Sequence, residues 1–210
     1  MEINFEELKI VSENVRKYSS ASLLLVTKNR PHTLIKSLMD RGYNLFGENR
    51  VQEAQEKFSN LSSYDFKLHL IGPLQTNKVK LALSIFDTIQ SIDRPKLVKE
   101  ISKNIKLNNE LKTKNFFIQV NKGDEAQKAG SPINETLDLY EYATSENLDI
   151  KGLMCIPPLA KEPDIYFKKM IELRDSINPE MILSMGMSND YKVALSHKSN
   201  LVRVGSRIFK

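Results

Sequence analysis

The residues with the most chemical potential fall at the ends of short apolar runs. The first is Lys28, which closes LLLVTK (23–28) and is followed by the turn signal Asn29-Arg30-Pro31. An apolar run of this length bounded by a turn reads as a strand buried on both faces, the kind found in parallel sheets. A lysine at the carboxyl end of such a strand sits near apolar surface, where desolvation favours the uncharged, nucleophilic amine that forms Schiff bases. The plain alternative is a lysine that ends its strand by reaching solvent. Two stretches near the C-terminus carry a second chemistry. In SMGMSND, Gly186, Ser188 and a helix start follow a strand directly, so free N–H groups and the helix dipole can hold an anion. In VRVGSR, Gly205 and Ser206 follow the next strand, just after Arg203.

The elements that must position these groups alternate regularly. Strands are expected at 23–28, 44–48, 67–72, 88–93, 116–121, 150–156, 181–187 and 201–209. Helices are expected near 31–41, 49–58, 77–83, 94–106, 132–147, 163–176 and 189–197, with a further one over 2–18 ahead of the first strand. A loop is expected from Gly123 to Ser131, and Pro157-Pro158 ends the sixth strand. Strand–helix alternation of this kind argues for a parallel sheet covered by helices. Without a Gly-x-Gly-x-x-Gly fingerprint or a P-loop, the expectation is an α/β chain folded as a closed (β/α)8 TIM-type barrel. It comprises one domain over residues 1–210, with an extra N-terminal helix.

In such a barrel the reactive groups come from strand C-termini. These supply Lys28, Glu48 and Asn49, His69, Gln90, Asp93, Gln119, Asn121, Ser184 and Ser188, then Arg203, Gly205 and Ser206. Closure makes the last strands neighbours of the first, so a phosphate cradle lies beside a strand-end lysine. That pairing is what pyridoxal 5′-phosphate requires, although ordinary sugar-phosphate barrels use the same phosphate geometry.

Composition narrows the classes. Hydrophobic residues at 40% and charged residues at 27% are ordinary for a globular protein with a sizeable core. The formal charge of +5 is spread over helices and mixed with acids, with no basic block interleaved with aromatics, so no specific nucleic-acid binding is expected. No apolar run nears the roughly 18 residues of a membrane span. The N-terminus has no uninterrupted apolar core, so a signal peptide is not expected and the cytoplasm is the expected compartment. The one cysteine, Cys155, cannot form an intramolecular disulfide. The three histidines show no metal-ligand spacing, and no metal is expected.

LLLVTK, FGENRVQEAQEK, HLIGPLQTNKVK, SIDRPKL, IQVNKGDEAQKAG, IKGLMCIPP, LSMGMSNDYKVAL and LVRVGSRIF occur in that order. Together they resemble the motifs of the pyridoxal phosphate homeostasis protein family, whose barrel is similar to the N-terminal domain of alanine racemase. The resemblance implies pyridoxal 5′-phosphate as cofactor. It matches Lys28 to the lysine of the internal aldimine, and Ser188, Gly205 and Ser206 to phosphate-binding positions. Arg203 matches the arginine facing the pyridine nitrogen, and Asn49 and His69 match residues lining the pocket. The chain departs from the family at Thr27, where serine is common, and at Pro73. It also stops at Lys210, where further residues often follow.

The implied function is intracellular homeostasis of vitamin B6 and of amino and keto acids, by a monomer with pyridoxal phosphate-dependent apoenzymes as partners and no committed reaction of its own. An amino-acid racemase is the alternative, and a phosphate-binding barrel enzyme without pyridoxal chemistry is the third reading. Alanine racemase adds a C-terminal domain carrying a catalytic tyrosine, and no residues follow the last strand here. That favours carriage over turnover. Glu48 remains open as a base or as a helix cap.

Overall fold

The computed structural model describes residues 2–108, 110–121, 129–157 and 162–210. Gly123–Lys128 of the expected loop and Pro158 lie outside the described residues. Eight parallel strands close into a barrel: β1 (Ser22–Val26), β2 (Leu45–Glu48), β3 (Lys67–Leu70), β4 (Thr88–Ile92), β5 (Asn115–Asn121), β7 (Ile150–Cys155), β8 (Ile182–Ser184) and β9 (Leu201–Val204). The β4–β5 and β1–β9 pairings complete the ring. A two-residue strand absent from the sequence reading, β6 (Ser131–Pro132), adds to the end of β5.

The helices α2 (His32–Met39), α3 (Val51–Phe58), α4 (Val79–Ile85), α5 (Pro95–Leu107), α6 (Ile133–Ser145), α7 (Pro163–Ile177) and α8 (Tyr191–Ser196) follow strands in the expected alternation. Each returns the chain to the start of the next parallel strand. The main apolar core lies between strands and helices and includes Leu25, Phe46, Leu68, Ile89 and Ile118. A second, small cluster of Leu24, Ile71 and Leu201, with Val26 and Leu45 against it, fills part of the barrel interior. Gly47 makes room for it: a Cβ there would stand 2.2 Å from Leu24 Cδ2.

The extra helix α1 (Phe5–Arg16) is present, and its first turn is capped by Asn4, whose side chain accepts from the Glu7 N–H at 3.2 Å. Its entry segment pairs with the end of the chain. The Asn4 N–H donates to the Ile208 carbonyl at 2.8 Å, Ile3 and Phe209 form an antiparallel bridge, and Arg207 pairs with Glu7. The helix thus anchors the turn that follows β9.

Several strands end earlier than expected, and at two of them the early end leaves candidate residues in the loop that follows. β8 stops at Ser184 because Gly186 takes φ +93°, a left-handed conformation that breaks an extended run. β9 stops at Val204, where residues 205–208 turn back with the Ile208 N–H on the Gly205 carbonyl at 2.9 Å. Similarly, α3 begins at Val51 rather than 49, leaving Asn49 outside the helix.

Candidate functional site

The loops after β1, β2, β3, β7, β8 and β9 surround a cavity of about 730 Å³, within the usual range for a small-molecule site. Lys28, Asn49, Ser188, Arg203, Gly205 and Ser206 all line it. They arrive there from four strands because parallel strands present all their C-terminal ends on one face. Lys28 is exposed, not packed against apolar surface as its place after LLLVT suggests. The lining adds Arg30, Asn189 and Asp190, which the sequence reading did not single out. Arg30 lies over the Phe209 ring at 5.1 Å, a cation–π contact linking the loop after β1 to the turn after β9.

The last two strand ends form a cradle, but not by the expected means. A helix dipole has little part, since α8 has six residues and starts only at Tyr191. The Met187 N–H is also taken, donating to Asp190 Oδ1 at 2.6 Å. The cradle is instead a pair of turns joined through one hydroxyl. Ser188 Oγ accepts from the Gly205 N–H and the Arg207 N–H, each at 3.4 Å, and from Ser206 Oγ at 3.1 Å. Among the described residues the N–H groups of Asn189 and Ser206 have no acceptor. Two unpaired turn N–H groups, one from each turn, with serine hydroxyls beside them offer donors to an anion. Gly205 is required sterically, because a Cβ there would stand 2.8 Å from the Val26 carbonyl oxygen.

Arg203 rises from β9 almost fully buried, and among the described residues no carboxylate pairs with it. Its Nη1 donates to Ser184 Oγ at 2.8 Å and its Nη2 to the Cys155 carbonyl at 2.7 Å. Burial works against its charge and lowers its pKa from the ordinary value, yet a guanidinium stays protonated in proteins. A buried cation held only by neutral acceptors, with a cavity against it, suits a ligand that offers an acceptor.

His69 is the one proposed site residue that does not line the cavity. It lies on β3, where its Nδ1 is 2.7 Å from Gln90 Nε2, and burial pushes its pKa down to about 4. Gln90 Oε1 accepts from Ser184 Oγ at 2.7 Å, so His69 reaches Arg203 through two intervening side chains.

Glu48 neither faces the cavity nor caps α3. It is fully buried behind the barrel wall, where Oε1 accepts from Thr27 Oγ1 and Lys57 Nζ, both at 2.7 Å. Burial outweighs these partners and raises its pKa. Lys57 also meets Glu53 Oε1 at 2.7 Å, one helical turn away on α3. The signal for this pair was present in FGENRVQEAQEK, where glutamate and lysine stand four residues apart. Gln119 Nε2 donates to the Ala129 carbonyl at 2.9 Å, and Asp93 pairs with its neighbour Arg94. Among the described residues no cluster of His, Cys, Asp or Glu is arranged for a metal, and no helix is long and apolar enough to cross a membrane.

A primary amine, an anion cradle and a donor-only guanidinium on one cavity fit an aldehyde-bearing phosphate ester with a basic ring nitrogen. Comparison with known proteins agrees. The sequence model of the family "Alanine racemase, N-terminal domain" matches residues 3–210. A pyridoxal phosphate homeostasis protein of Aquifex aeolicus is 37% identical over 221 residues, covering 97% of this chain and 96% of its own. Its Escherichia coli counterpart is 34% identical, covering 92% of this chain and 87% of its own. The structure of PipY from Synechococcus elongatus with pyridoxal phosphate bound superposes with a TM-score of 0.86 at 29% identity, covering 98% of this chain and 99% of that one. Alanine racemase from Acinetobacter baumannii shares the fold, with a TM-score of 0.76 at 15% identity over 98% of this chain and 61% of that one. The chain belongs to the pyridoxal phosphate homeostasis protein family, on the barrel of the alanine racemase N-terminal domain.

Proposed function

We propose that this chain works as one cofactor-binding barrel that holds pyridoxal 5′-phosphate on Lys28 and serves vitamin B6 and amino and keto acid homeostasis by carriage, without a committed reaction. The observation that carries this reading is the convergence of Lys28, the Ser188–Ser206 cradle and Arg203 on one cavity. When bound, the cofactor supplies an electrophilic aldehyde, an anionic phosphate and a ring nitrogen. Lys28 supplies the amine. Ser188, Gly205 and Ser206 receive the phosphate, with Asn49 on the same wall. Arg203 has donors only, so it suits an unprotonated ring nitrogen and weakens the electron sink on which amino-acid chemistry depends. His69 acts on the site through Gln90 and Ser184 rather than by contact.

A racemase needs a second group to move a proton on the opposite face. Among the described lining residues the only carboxylate is Asp190, already engaged with the Met187 N–H, and no histidine, tyrosine, cysteine or glutamate is present. That supports carriage over turnover. The names of the relatives, homeostasis proteins rather than enzymes, point the same way. In this reading the protein acts as a monomer and apoenzymes are the recipients of the cofactor.

The test is an absorption spectrum of the cofactor-loaded protein before and after borohydride reduction, followed by peptide mapping. The label is expected on Lys28, and Lys28→Ala protein is expected to lack both band and label. A label on Lys78 with Lys28 unmodified overturns the assignment.

A further inference from the structure

Lys28 is exposed, and its four-carbon stem leaves its amine many positions. What the protein can fix is the backbone that carries it. On one side, Thr27 is fully buried and its side chain points away from the cavity, donating from Oγ1 to Glu48 Oε1 at 2.7 Å. The Thr27 carbonyl accepts from Lys57 Nζ at 2.7 Å and from the Arg30 N–H at 3.1 Å, which closes a turn around Lys28. On the other side, Asn29 adopts φ +58°, an uncommon conformation for a residue other than glycine, and its N–H donates to Glu53 Oε1. Lys57 joins the two halves. Its ammonium has three donors, and Thr27 O, Glu48 Oε1 and Glu53 Oε1 each lie 2.7 Å away.

We propose that Thr27, Glu48, Glu53 and Lys57 are positioning residues for Lys28, a clamp behind the barrel wall that fixes the chain on both sides of the reactive amine. None of the four lines the cavity, so the clamp reaches it only through the short backbone segment, residues 27–30, that carries Lys28. This gives a reason for a fully buried carboxylate and a nearly buried ammonium beside the main apolar core. It also gives the FGENRVQEAQEK motif a use: Glu48 from the strand, with Glu53 and Lys57 from one face of α3. The inference rests on the reading that Lys28 captures the cofactor. In that capture the Lys28 nitrogen bonds the aldehyde carbon and the carbonyl oxygen leaves as water, so no oxidant or reductant is required.

The test separates capture from docking. The rate of borohydride-trappable labelling at Lys28 by pyridoxal 5′-phosphate is measured alongside the affinity for pyridoxine 5′-phosphate, which lacks the aldehyde. Thr27→Val removes one hydroxyl at constant shape, and Glu53→Ala alters a partly exposed helix position, so both leave the fold intact. Each is expected to slow labelling by about tenfold or more, since small misplacements of reacting atoms have effects of that size. Affinity for pyridoxine 5′-phosphate is expected to stay at the wild-type value. Thr27→Ser, which keeps the hydroxyl, is expected to label like wild type. Unchanged labelling in both variants overturns the clamp. So does a parallel fall in labelling and affinity, or a Thr27→Ser variant as slow as Thr27→Val. An unlabelled Lys28 in the wild-type protein instead overturns the underlying reading of the site.

Discussion

Gln90 donates from Nε2 to His69 Nδ1 across 2.7 Å, and the direction of that bond is set three side chains away. Arg203 can only donate, so Ser184 Oγ must accept from it and turn its own proton toward Gln90 Oε1. The Gln90 amide then presents its NH2 to His69, whose Nδ1 must be unprotonated. A buried arginine on β9 thereby selects the tautomer of a histidine on β3. The chain of donors gives the barrel interior one polar arrangement and keeps the guanidinium in place without a carboxylate.

It follows that His69 stays neutral, with its proton on Nε2, well below the usual histidine range. Burial lowers its pKa to about 4, whereas in the unfolded chain it titrates near about 6.5. Between these values the unfolded state binds a proton that the folded state does not, so stability rises with pH across that window and falls on acidification. The difference corresponds to roughly 3–4 kcal/mol. The check is nitrogen NMR of the ring, together with thermal unfolding at pH 7 and pH 4. His69→Gln is expected to lose less stability on acidification than wild type, and a ring that titrates near neutrality would contradict the relay.

The Glu48–Lys57 pair leads to a second expectation. Glu48 is fully buried and Lys57 nearly so, and Glu48 Oε2 has no partner among the described residues. Lys57→Met would leave the carboxylate with the Thr27 hydroxyl alone. Breaking one partner of a buried pair costs about 3–5 kcal/mol, and a double replacement that removes both charges costs much less. Urea unfolding of Lys57→Met and of Glu48→Leu/Lys57→Met is the measurement. A double variant no more stable than the single would show that packing, not the uncompensated charge, is responsible.

The barrel was legible because its signal is local. Short alternating strands such as KLHL and TIQSI, and helices with Pro95 or Pro163 at their starts, announce themselves within a few residues. Six candidate residues meet on one cavity because a parallel barrel brings strand ends together whatever their separation along the chain. Partnerships were not legible. Nothing in the sequence says that Ser184 and Gln90, 94 residues apart, share a hydrogen bond, or that His69 therefore faces Gln90 instead of the cavity. Nor did residue types settle where β8 ends, at a left-handed Gly186, or that α8 starts only at Tyr191 and is too short to bring a helix dipole to the cradle.

The cradle can be tested by charge. Ser206→Asp sets a carboxylate against the bound phosphate and removes a hydroxyl from the Ser188 hub. Losing one hydrogen bond to a charged group costs roughly 1.5–3 kcal/mol, so cofactor affinity is expected to fall at least about tenfold. Fluorescence titration with pyridoxal phosphate reads the change. Since the Ser206 hydroxyl lies on a surface turn, the melting temperature is expected to move little. Equal affinity in the variant would take the phosphate out of this turn.

The sharpest division lies between carriage and turnover. Catalysis requires groups that bind the transition state more strongly than the ground state. Among the described residues the cavity lining offers one amine at Lys28, the guanidiniums of Arg30 and Arg203, which stay protonated, and a carboxylate already committed to the Met187 N–H. An exposed lysine still permits exchange of the cofactor with free amines, for which an accessible carbon–nitrogen double bond and a mobile proton suffice. Incubation of the loaded protein with L- and D-amino acids is therefore expected to change its absorption spectrum without forming product on chiral analysis. Asp190→Asn should leave that exchange in place, because the carboxylate holds a turn and moves no proton. Sustained racemisation, decarboxylation or transamination that disappears in Lys28→Ala would overturn carriage and make the protein an enzyme.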